Sequence, residues 1–206
     1  ALMNQFYSSE AQQFINPYAD LQGDEKVSLF ENLLMSSAVV TEEEGIPYSP
    51  RLQGAGLANI KAALTTPTFL QGPDGKAKIS LGSDIDHEFT LHFLVKNLTD
   101  SDVVYDELSL DVTTDGYIED EGEFYVDGTQ PLSFQSDLPQ SVTVPAGGEA
   151  ELTVGVTLNP DELLENEKVF TNGFYIDGFV TLASSAEIPV VVVLWSIDTV
   201  NAVSWL

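Results

Sequence analysis

The sequence predicts an α+β chain in which an N-terminal helical segment is followed by an antiparallel β-sandwich. Three observations carry this reading. Apolar residues recur with the 3.6-residue period of a helix up to Leu64. Beyond Thr65-Thr66-Pro67 the period drops to 2, the mark of half-buried strands. Roughly seven short strands then follow, divided by glycine- and proline-bearing turns, as a sandwich requires. The change of period sets a boundary near residue 66, with a helical unit over 1–66 and a sandwich over 67–206.

Met3, Phe6, Tyr7, Ala11 and Phe14 line one helical face, and Asn16-Pro17 ends that run. A second helix is expected from Asp24 to Ala38, with Asp24 as N-cap and a wide stripe of Val27, Leu29, Phe30, Leu33 and Leu34. After the acidic turn Glu42-Glu43-Glu44-Gly45, a short helix is expected from Leu57 to Leu64, and no strand is expected in this part. Three apolar helix faces in so few residues cannot easily cover one another, so the segment is expected to be the edge of a larger domain.

Phe89, Leu91, Phe93 and Val95 alternate with Thr90, His92, Leu94 and Lys96, which gives one core face and one mostly polar face. Leu108, Leu110 and Val112 repeat the pattern, as do Leu152, Val154, Val156 and Leu158. Further strands are expected at Ala77 to Leu81, Ser141 to Val144, Phe174 to Leu182 and Ile188 to Leu194. Pro73-Asp74-Gly75, Asp127-Gly128 and Pro145-Ala146-Gly147-Gly148 supply turns between strands. The run from Ile188 to Trp195 is too short to span a bilayer, which takes about 20 apolar residues, so no membrane span is expected.

Composition narrows the function classes. Seven basic and 33 acidic residues give a net charge of −26, a field that repels nucleic acid and anionic membranes. With no cysteine there is no disulfide, thiolate nucleophile or cysteine-bound metal. The start, Ala1 to Phe14, reads as an amphipathic helix rather than a signal peptide, so the chain is expected to begin inside a longer protein.

Each candidate site has a plain structural alternative. His87 and His92 lie at a strand start, and His92 falls on its polar side; neither has a serine in a nucleophile elbow near it in sequence, nor a third metal ligand. Exposed strand histidines are the expectation. On an EF-hand template Asp111, Thr113, Asp115 and Gly116 fill positions one, three, five and six, but Gly122 occupies the position of the obligatory bidentate carboxylate. A weaker calcium site on Asp115, Glu119, Asp120 and Glu121 competes with a solvated acidic loop. Asn97-Leu98-Thr99 has the form of a glycosylation acceptor. The Gly54-Ala55-Gly56-Leu57 run lacks the preceding strand and third glycine of a dinucleotide fingerprint, and reads as a tight turn for close packing. No pair of carboxylates is singled out for glycoside chemistry.

Leu33 to Ala38, followed by the stretch from Tyr48 to Leu64 that opens Tyr-Ser-Pro-Arg-Leu-Gln-Gly-Ala-Gly, resembles the end of the catalytic domain in the cell-envelope subtilisin-like serine proteases of Gram-positive bacteria, the lactocepin and streptococcal complement-cleaving peptidase group. The stretches Gly75 to Gly82, His87 to Glu107, Val142 to Leu158, Asn172 to Leu182 and Ile188 to Val193 resemble the fibronectin-type-III-like domain that comes next in that group. The resemblance implies that residues 1–66 are the C-terminal helical part of a subtilisin-like catalytic domain and that 67–206 are a fibronectin-type-III-like sandwich. It implies a secreted or wall-attached endopeptidase acting on polypeptides, with the missing catalytic domain of the same polypeptide as partner. The nucleophile motif Gly-Thr-Ser-Met-Ala-x-Pro would lie upstream of Ala1, so no catalytic residue, and no cofactor-binding residue, is assigned in this chain. The tail from Ser196 to Leu206 matches nothing in the group. The competing expectation is a non-catalytic surface adhesion or binding module; a degenerate relic of such a protease is a third.

Overall fold

A computed structural model describes residues 21–83, 87–186 and 188–200. The helix expected at Met3 to Phe14, and the tail beyond Val200, lie outside the described residues. Helix α1 spans Gly23–Ser36. Asp24 stands inside its first turn rather than at the cap, which is Gln22, and with Glu25 it faces the positive end of the helix dipole. Leu29 and Leu33 are buried against Phe69 and Leu98, while Val27 is left exposed. Two buried polar side chains fix the register of this contact. Asn32 donates to the Gly75 carbonyl at 3.0 Å and accepts from Ala77 N–H at 2.8 Å; Ser36 Oγ accepts from Leu70 N–H at 2.9 Å. The described part of the helical segment thus covers much of its apolar stripe with the sandwich itself.

Between α1 and the sandwich, the stretch expected to hold no strand contains a small antiparallel ribbon, β1 (Glu42–Glu43) with β2 (Ile46–Pro47). It is closed by Glu44 and Gly45, both at positive φ, in the turn read from the acidic run. Helix α2 (Pro50–Gln53) and helix α3 (Ile60–Thr65) follow. The latter starts three residues later than expected because Asn59, whose side chain accepts from Ala62 N–H, caps it.

One sheet has the order β3-β5-β11-β9, from β3 (Thr68–Gln71), β5 (Glu88–Asn97), β9 (Phe134–Ser136) and β11 (Glu149–Leu158). The other has the order β4-β13-β12-β7-β8, from β4 (Lys78–Ser80), β7 (Glu107–Asp120), β8 (Glu123–Pro131), β12 (Phe174–Ala183) and β13 (Val191–Val200). All pairings are antiparallel except β4 with β13. A ribbon of β6 (Val103–Tyr105) and β10 (Val142–Val144) completes the strands. Leu91, Phe93 and Val95 face Val154, Leu152 and Ala150 across β5 and β11. Their side chains meet Ile176, Val180, Val193 and Trp195 of the second sheet in one core, where Phe89 and Trp195 rings lie 5.1 Å apart.

Several expectations need correction. Glu119 and Asp120, expected on an acidic loop, instead end strand β7, which turns through Glu121-Gly122 into β8, a strand the sequence does not predict. Asp127-Gly128 is not a turn but a bulge in β8, where the pairing slips between Asp115 and Tyr117. Strands β3, β6 and β9 and helix α4 (Pro160–Val169) are likewise not predicted by the sequence, the last capped by Asn159 with Pro160 at its first position. Strand β13 begins at Val191 rather than Ile188, beyond Pro189, which lacks the N–H a sheet needs. It runs through Ser196 as far as Val200, opposite Phe174, so the start of the unmatched tail is part of the sheet.

Candidate functional site

The stretch Tyr48 to Leu57 is where the helical segment grips the second sheet. Ser49 ends an extended approach and caps α2, its Oγ accepting from Arg51 N–H at 3.2 Å; Pro50, with no N–H to satisfy, opens the helix. This turn aims two side chains at strand β12. Ser49 Oγ donates to Asp177 Oδ2 at 2.5 Å, and Arg51 Nε donates to the same oxygen at 3.2 Å. Arg51 Nη2 reaches Asp115 Oδ1 on β7 at 2.5 Å, and its guanidinium lies 3.8 Å from the centre of the Tyr175 ring.

Asp177 is 1% exposed, in a largely apolar strand of which it is the one charged residue. A carboxylate so placed must be satisfied from several sides. Thr113, its cross-strand neighbour, puts Oγ1 2.9 Å from Asp177 Oδ1, and Asp115 Oδ2 accepts from Tyr175 N–H at 3.0 Å. For Arg51, burial works against the charge, but Asp115 and Asp177 more than offset it, so its pKa is raised. We call this group of Ser49, Arg51, Thr113, Asp115, Tyr175 and Asp177 the clasp.

Behind the clasp the loop is tied to itself. Gln53 Oε1 accepts from Thr41 N–H at 2.7 Å, and Gln53 Nε2 donates to the Tyr48 and Thr41 carbonyls. Val39 and Leu57 exchange backbone hydrogen bonds of 2.8 Å. Gly56 makes that approach possible, since a Cβ there would overlap the Val39 carbonyl and its φ is +115°. The close-packing turn read at Gly54 to Leu57 is therefore present.

The structure divides the other candidates. Thr113 and Asp115, raised by the EF-hand template, alternate along β7 and belong to the clasp, whereas Glu119, Asp120 and Glu121 lie at the hairpin end. Among the described residues no three of His, Cys, Asp and Glu gather as a metal-binding group. His92 is exposed on β5, with Nδ1 3.1 Å from Thr153 Oγ1, and His87 Nε2 stands 4.0 Å from Glu88. Asn97 is fully buried: its amide donates to the carbonyls of Ser101, Val144 and Pro145, and its Oδ1 accepts from Thr99. In the folded protein it organises a loop and has no free amide for a glycan.

Sequence reasoning found the Ser-Pro-Arg stretch but not its receptor. The available signal was Asp177 itself, an acid amid Phe174, Ile176, Phe179 and Val180, which demands a cation from elsewhere in the chain.

Comparison with known proteins agrees with the resemblance read from these residues. The chain is 28% identical over 173 residues to the C5a peptidase of Streptococcus pyogenes serotype M3, covering 82% of this chain and 14% of that protein. It is 23% identical over 194 residues to the PII-type proteinase of Lacticaseibacillus paracasei, covering 90% of this chain and 10% of that one. It therefore spans a small part of the length of these relatives. Among solved structures, the PapD-like domain of human CEP192 aligns with a TM-score of 0.40 at 13% identity, over 68% of this chain and 89% of that one. The Fn3-like domain family matches residues 79–193, more than half of the sequence, and the chain belongs to that family.

Proposed function

We propose that this chain is a piece of a secreted or wall-associated subtilisin-like serine endopeptidase, in which the Fn3-like sandwich acts as a rigid spacer that sets the position of the catalytic domain. Residues 1–66 would be the helical end of that catalytic domain, and the triad and polypeptide substrate would belong to the remainder of the parent enzyme. The observation that carries this reading is the clasp. A flexible linker would place few polar groups at its junction with the sandwich, whereas Arg51 joins two strands at once and Asp177 is buried to receive it. The similarity to two proteolytic enzymes supports the same assignment.

The test is made on the gene and on its full-length product. The reading requires a Gly-Thr-Ser-Met-Ala-x-Pro motif upstream in the same frame, with Asp and His motifs further back. In the intact enzyme, Arg51→Met should slow cleavage of a folded polypeptide substrate more than cleavage of a short chromogenic peptide. The isolated 206-residue chain should hydrolyse neither. An upstream frame of adhesin repeats, or a serine-inhibitor-sensitive activity in the isolated chain, defeats the proposal.

A further inference from the structure

The second sheet ends at β8, and among the described residues no strand pairs with its outer edge. At the root of the strand Thr129 donates to the Pro47 carbonyl and Gln130 donates to Asn166 of α4, so that part is occupied. From Glu123 to Gly128 every residue is exposed. The apolar ones are large: Phe124 is 48% exposed, Tyr125 53%, Val126 70%, and Ile118, opposite Tyr125, 51%.

A bare edge of this kind is normally guarded by lysine, proline or short length. Here the strand has nine residues, its one proline is the last, and no Lys, Arg or His occurs between Lys96 and Lys168. Its guard is negative charge, from Glu119, Asp120, Glu121, Glu123 and Asp127, none of which is held in an ion pair among the described residues. That charge selects among occupants. A second copy pairing edge to edge would bring two such sets of carboxylates within about one Debye length, ~8 Å, of each other. A strand carrying positive charge would be drawn to the same place. The bulge at Asp127-Gly128 twists the edge and limits pairing to the tip.

We infer that the edge of β8 from Glu123 to Val126 is a docking site for an extended polypeptide segment in which basic and apolar residues alternate. The segment adds to the sheet as a further strand. Backbone groups of β8 supply the hydrogen bonds, Phe124 and Val126 on one face receive the apolar side chains, and on the opposite face the carboxylates of Glu123 and Asp120, beside Tyr125, choose Lys or Arg over Asp or Glu. This inference does not rest on the protease reading, because the isolated chain should bind whatever the parent protein does.

The test is a fluorescence-anisotropy titration of the 206-residue chain with a labelled eight-residue peptide alternating Lys with Val. Two controls replace Lys by Glu, or N-methylate alternate backbone amides. Saturable binding of the Lys peptide is expected, weakened at least about tenfold by either control and by raising NaCl from 0.05 to 0.5 M. Tyr125→Lys, on a side chain over half exposed, should remove binding without moving the melting midpoint. Absence of saturable binding to the Lys peptide overturns the inference. So does equal binding of the N-methylated peptide, or unchanged binding by Tyr125→Lys. A dimer in sedimentation that Tyr125→Lys dissociates would assign the edge to a second copy and overturn it as well.

Discussion

Replacing Arg51 by methionine keeps an aliphatic stem of similar length and deletes only the guanidinium. Two charge-assisted hydrogen bonds go, to Asp177 at 3.2 Å and to Asp115 at 2.5 Å, together with the contact on Tyr175. Asp177 keeps the hydroxyls of Ser49 and Thr113 but loses its counter-ion while remaining 1% exposed. Stripping the partner from a buried ion pair costs about 3–5 kcal/mol. The Arg51 side chain is 33% exposed, so water replaces part of what is lost on the Asp115 side, and about 2–3 kcal/mol is expected. The clasp joins a loop to a sheet, so the loss should appear as local opening. Amide exchange at Thr41, Gln53 and Leu57 should quicken roughly 30- to 150-fold, while Phe89 to Val95 stay protected. The effect should shrink when Asp177→Asn is already present, since the uncompensated charge is then absent. Exchange changed by less than about threefold in Arg51→Met would show that the contact contributes little and that the loop is held by Gln53 and the Val39–Leu57 pairing instead.

Tyr105 gives a pH test. Burial lifts its phenol to about 12 against the opposing pull of the Thr68 and Thr66 hydroxyls, so the folded chain keeps a proton that the unfolded chain releases near pH 10. Stability should hold below pH 10 and fall between 10 and 12 by about 3 kcal/mol in total. Urea midpoints should lose that slope in Tyr105→Phe, which costs about 1 kcal/mol at neutral pH through the bond to Thr68; equal slopes in both proteins would refute the assignment. Gly178→Ala places a Cβ on the Asp111 carbonyl and 3.1 Å from the Trp195 ring, so a loss of about 3 kcal/mol and a Tm lower by roughly 6–12 °C are expected by calorimetry. A Tm within 2 °C of wild type, on the scale of about 1 kcal/mol or less, would mean that β7 and β12 can part there without penalty. Gly56→Ala should free the Val39 and Leu57 amides to exchange while leaving the core of the sandwich protected, because the strain at φ +115° and the overlap with Val39 both fall on that one pairing.

The parts of the fold that were legible in the sequence are those whose side chains alternate cleanly. Strands β5 and β11 read directly, because Phe89 to Val95 and Leu152 to Leu158 face one core and one solvent side. Helix α1 read as well, to within two residues. Strand β8 was hidden because it has no buried face from Glu123 to Gly128, so alternation had nothing to record, and carboxylates around the tip imitated a loop. Asp127-Gly128 misled for a related reason: a glycine at φ +63° serves a bulge as readily as a turn. Helix α4 was missed although Asn159-Pro160-Asp161-Glu162 carries a cap, a first-position proline and an acidic first turn. At the site, the sequence exposed one half of the clasp. Arg51 and Asp177 are 126 positions apart, and a pairing at that distance leaves no local pattern to read.

Strand β13, paired with β4 on one side and β12 on the other, has a consequence for biosynthesis. During translation β4 and β12 emerge first and must wait for the strand that separates them; at 5–20 residues per second the delay for β4 is on the order of ten seconds. Until then the nascent chain presents the largely apolar β12, and the short β4 with its Ile79, with vacant edges. Its large negative charge, which keeps neighbouring copies on a polysome apart, is well suited to that interval.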